Sequence, residues 1–60
     1  MLTVTLSSGT EIKAAVGSYV VQSWSNGKWN NLAVFGNTDE GYEMANLITN
    51  HLEGRVIQLH

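Results

Sequence analysis

Hydrophobic and polar residues alternate with period two at the start of the chain. Leu2, Val4 and Leu6 fall on one side and Thr3 and Thr5 on the other, the pattern of a half-buried strand. Ser7-Ser8-Gly9 is a turn signal, with Gly9 free to take a positive φ. Alternation resumes with Ile12, Ala14 and Val16 opposite Glu11 and Lys13, and Gly17-Ser18 breaks it again. Two strands in a hairpin are predicted here.

The strongest local signal follows. Tyr19–Trp24 and Trp29–Phe35 flank Ser25-Asn26-Gly27-Lys28. Asn-Gly accepts positive φ at both centres of a type I′ turn, whose twist matches that of paired strands. The turn predicts the pairs Ser25–Lys28, Trp24–Trp29, Ser23–Asn30, Gln22–Asn31 and Val21–Leu32. One face of this ribbon would carry Tyr19, Val21, Leu32 and Val34, with Ser23 and Asn30 toward the tip. The other would carry Val20, Gln22, Trp24, Trp29, Asn31, Ala33 and Phe35.

After Gly36 the period lengthens. Asn37 stands three residues before Glu40, as in a capping box, and Thr38 is an equally good N-cap one residue later. Asp39, Glu40 and Glu43 lie near the positive end of the helix dipole. A helix over 38–53 places Gly41, Met44, Ala45, Ile48 and Leu52 on one stripe, opposite Asp39, Glu43, Asn46 and Asn50. Gly54 suits the position that ends such a helix. Arg55 to His60, with Val56, Ile57 and Leu59 apolar, predicts a last strand paired with the first or with an edge.

The expected architecture is one α+β domain over 1–60, in the order ββββαβ. It is an antiparallel sheet of four to five short strands with one helix packed on one face. A small five-stranded barrel is the alternative, since strands one to four form a meander that could close.

Composition narrows the chemistry. The chain has 60 residues and no cysteine, so disulfide scaffolds and zinc clusters are excluded. No apolar run approaches the roughly 18 residues of a membrane span, and no basic-then-apolar leader opens the sequence. His51 and His60 stand alone, so no metal and no cofactor is expected. No serine lies in a G-x-S-x-G elbow, and neither glycine pattern of a phosphate loop is present. Four of the five carboxylates fall in 37–54, on the helix and its end, as a solvated face or a docking surface for a basic patch. An enzyme is not expected.

A domain this short buries only about 60% of the surface its unfolded chain exposes, so support from self-association or a larger partner is a common remedy. The ribbon is apolar on both faces and the chain supplies one helix, which shields one face. Trp24 and Trp29, facing each other beside the tip, then either clamp the hairpin or form the centre of a contact surface. The candidate partner-binding residues are Trp24, Trp29, Lys28 and Phe35.

The expected function is a small non-enzymatic protein-binding module that occupies a surface of a larger macromolecule. A chain that starts at Met1 and ends within a strand resembles a complete small product of the kind viruses and mobile elements use as inhibitors. The alternative is a structural homo-oligomer (a homodimer, for instance) that hides the same patch in self-contact. A weaker alternative is a single-stranded nucleic-acid binder stacking bases on the indoles. Three basic residues against five acids, net charge −2, argue against nucleic acid, and no membrane partner is expected. The expected compartment is the cytoplasm, that of a host cell for a viral product.

Overall fold

The computed structural model describes all 60 residues as five strands and one helix. These are β1 (Leu2–Thr5), β2 (Glu11–Ala14), β3 (Tyr19–Ser25), β4 (Lys28–Phe35), α1 (Asp39–Thr49) and β5 (Gly54–Gln58). The fold is α+β in the predicted order, and the sheets do not close into a barrel. The strands divide into two antiparallel sheets, a β1–β2 pair and a three-stranded sheet ordered β4–β3–β5. Of the two places open to the last strand it takes an edge, that of β3, and not β1.

The two sheets and the helix form layers around β3. Val20 packs with Val4 and Ala14 of the β1–β2 hairpin, and Leu6, Val34, Ile57 and Leu59 border this cluster. Successive strand residues point to opposite faces, so Val21 turns the other way, toward α1, where Ala45 is also sealed. Tyr19 shares that side and its ring lies 5.1 Å from the ring of Tyr42. A β3 buried on both faces explains its unbroken Tyr19-Val20-Val21 run. The hairpin does for the second face what a second helix would have done.

The tip turn is of the expected type, with φ 54° at Asn26 and 75° at Gly27. From Ser25–Lys28 through Gln22–Asn31 the register is the predicted one. Beyond that, Val21 pairs with Ala33 and not with Leu32, because a β-bulge inserts Leu32 as an extra residue on β4. The slip reverses the parity of everything after it. Val34 joins the Val20 face, while Ala33 and Phe35 move to the helix side.

Thr38 is the N-cap, and its hydroxyl accepts the Gly41 N–H at 2.9 Å. The helix stops at Thr49, short of the expected 53. The Thr49 hydroxyl donates back to the carbonyls of Ala45 and Asn46, and Leu52 N–H closes a tight turn on the Thr49 carbonyl. Gly54 opens β5 and does not end the helix. The expected stripe is buried at Gly41 and Ala45 and partly at Ile48, whereas its Met44 and Leu52 are about half exposed, as is Leu47 outside it. No helix is long and apolar enough to cross a membrane.

Candidate functional site

The valine half of the ribbon is covered on both faces; the tip half is not. Trp24 and Trp29 pair in register on the side that, further along, carries Val20 and Val34. Their rings meet edge to face, with centroids 5.3 Å apart and planes at 72°, a favoured arrangement for aromatic quadrupoles. Trp24 keeps 56% of its surface exposed and Trp29 keeps 37%. The indoles clamp the hairpin and face water at the same time.

Between the sealed valines and the indoles runs a band of amides that crosses the strands. Arg55 of β5 donates its Nε–H to the Gln22 side-chain oxygen at 2.8 Å. Gln22 donates to the Asn31 side chain at 2.9 Å, and Asn31 donates to the Thr5 carbonyl at 3.1 Å. The chain of bonds links β5, β3, β4 and β1, and it holds the Arg55 guanidinium 4.0 Å from the centre of the Trp29 ring. A cation over an indole face is an attractive contact.

The four expected site residues are therefore not one patch. Trp24 and Trp29 are together. Lys28 precedes Trp29 on β4, so strand alternation carries its side chain toward the opposite face. Phe35 is displaced by the bulge onto the helix side and lies six residues further along, roughly 20 Å at strand rise. Arg55 takes the place expected for a neighbouring charge. No local pattern in the sequence points to it, since Gln22 is one of three polar residues of β3 and its partner comes from β5.

A shallow groove of about 300 Å³ lies beside Trp29, lined also by Thr5, Leu6, Ser7, Lys28, Asn30 and Asn31. Its walls are the β1–β2 turn and the outer edge of β4, stitched where Ser7 N–H donates to the Asn31 carbonyl at 2.8 Å. A second depression, on the side of Ser23, Asn30 and Leu32, is lined almost wholly by hydroxyls and amides. Neither contains a carboxylate or an imidazole. The chain matches no protein-family model, and no curated protein or solved structure is significantly similar to it.

Proposed function

We propose that this chain is a non-enzymatic protein-binding module that acts by occupying a surface of a larger protein. The observation that carries the proposal is the half-exposed Trp24–Trp29 pair, steadied by Arg55, at the only end of the ribbon that neither the helix nor the β1–β2 hairpin covers. Trp and Arg are the residue types that dominate interface energetics, and a rigid indole loses little conformational freedom on contact. The groove beside Trp29 offers amides, hydroxyls and one ammonium, a lining suited to recognition and lacking a general base. Binding by occupancy, as an inhibitor binds, is the mode this surface fits.

Trp24→Ala and Trp29→Ala are the test. Each is expected to lower capture of a partner by at least tenfold while circular dichroism reports an intact fold. Unchanged capture by both folded variants would overturn the proposal.

A second reading, a homo-oligomer subunit, is favoured by the exposed Met44 and Leu47 on one flank of α1. Sedimentation across a hundredfold concentration range separates the two, since self-association alone shifts with concentration.

A further inference from the structure

Resting on the reading of the tryptophan face as a contact surface, we infer that its partner is an extended protein segment alternating apolar and acidic residues, which adds to the outer edge of β4 beside Trp29. Three observations converge on this occupant.

The first is backbone parity. In an antiparallel ribbon, residues of non-hydrogen-bonded pairs turn their N–H and C=O groups away from the partner strand. Asn31 does so, for its carbonyl accepts from Ser7 and not from β3. Trp29 is two residues earlier and has the same parity. Its N–H and C=O point out from β4 into the groove, and no turn or loop bonds to them. A short strand can pair there; Ser7 closes the edge at Asn31 and limits the addition to a few residues.

The second is the division of side chains across that edge. An added strand would alternate its own side chains between the two faces of the sheet. On one face it meets the indole of Trp29, which favours apolar residues. On the other it meets Lys28, followed by the amide of Asn30. Apolar and acidic residues in alternation satisfy both.

The third is charge. The groove contains Lys28 and no carboxylate. Asp39, Glu40 and Glu43 stand on α1, on the same side of the three-stranded sheet as Lys28, but none of them lines the groove. Nucleic acid is the less favoured occupant, because the one lysine of the groove holds few phosphates and the chain is net negative.

The experiment titrates the isotope-labelled full chain with a capped Val-Glu-Val-Glu-Val-Glu peptide. Its Gln and Lys counterparts and an oligothymidylate are run beside it, with amide resonances and hydrogen exchange as readouts. Only the acidic peptide is expected to shift the Trp29 amide and slow its exchange. Lys28→Glu is expected to weaken that binding roughly tenfold, since a surface pair is replaced by like charges. Equal binding by the Gln peptide would overturn the acidic specificity and leave the contact-surface reading standing. Shifts by the oligothymidylate alone would replace the segment with a nucleic acid. No response to any ligand at millimolar concentration would overturn edge addition, whereas the partner capture by Trp24→Ala and Trp29→Ala decides the broader function independently.

Discussion

The guanidinium carbon of Arg55 sits 4.0 Å from the centre of the Trp29 ring, while its Nε–H is anchored on Gln22. The arginine is thus held by a plane and a point, and the indole by an edge-on neighbour and a cation. Arg55→Ala should cost roughly 0.5–1 kcal/mol, the range of an exposed cation–π contact. Tryptophan emission should move to longer wavelength and near-ultraviolet dichroism should weaken, because Trp29 gains freedom and water. Arg55→Lys should recover little of either signal, since an ammonium lacks the planar face and the Nε donor. Fluorescence and a denaturant titration on the three proteins check this.

Gly41 is placed where the helix start crosses the preceding loop. A Cβ there would collide with the carbonyl of Gly36 and press on the Thr38 hydroxyl. Alanine is the better helix former by about 1 kcal/mol, which alone would predict stabilisation. The backbone collision outweighs it, at about 1–3 kcal/mol for an overpacked site. Gly41→Ala should therefore lower the urea midpoint, and an unchanged or higher midpoint would refute the crossing geometry.

Val20 and Val21 are adjacent in sequence and serve different layers, the first against the β1–β2 hairpin and the second against α1. Truncating either to alanine should cost about 2 kcal/mol from lost methyls and residual cavity. In a domain of this size that lowers the melting temperature by roughly 10 °C. Their double variant should unfold the chain at room temperature, as seen by far-ultraviolet dichroism.

Gly27 and Gly54 separate backbone strain from steric strain. Nothing lies near a Cβ at Gly27, yet its φ of 75° means Gly27→Ala should cost about 1–2 kcal/mol through the backbone alone. At Gly54 a Cβ would strike the Gln22 carbonyl across the β3–β5 pairing. Gly54→Ala should therefore displace Arg55 from Trp29 and reproduce the fluorescence change of Arg55→Ala, whereas Gly27→Ala should not.

Local chemistry made the tip readable: Asn26-Gly27 dictates its turn, and a two-residue turn dictates the pairs next to it. The helix start was readable for the same reason, since Thr38 caps through its own side chain. What lay beyond reach was non-local. Leu32-Ala33-Val34-Phe35 is apolar at every position, so its period carries no sign of an inserted residue, and the bulge misplaced Phe35. The docking of β5 on β3 brings Arg55 to a glutamine 33 residues away, a contact no local pattern announces. The split into two sheets likewise depends on the β1–β2 pair folding over Val20, where a continuous sheet would satisfy the same alternation.

The extra residue at Leu32 divides the ribbon into two parts whose β4 side chains have opposite face parity. On the inner side of it the strands answer to the valine interior; on the outer side they answer to each other, to the start of β5 and to Thr5 and Ser7. Lengthening, shortening or resequencing the fingertip by matched pairs of residues would leave the interior's registration intact. On the binding role proposed above, such a molecule would diversify its contacts without renegotiating how it folds, and a library confined to residues 23–30 would explore new targets on an undisturbed handle.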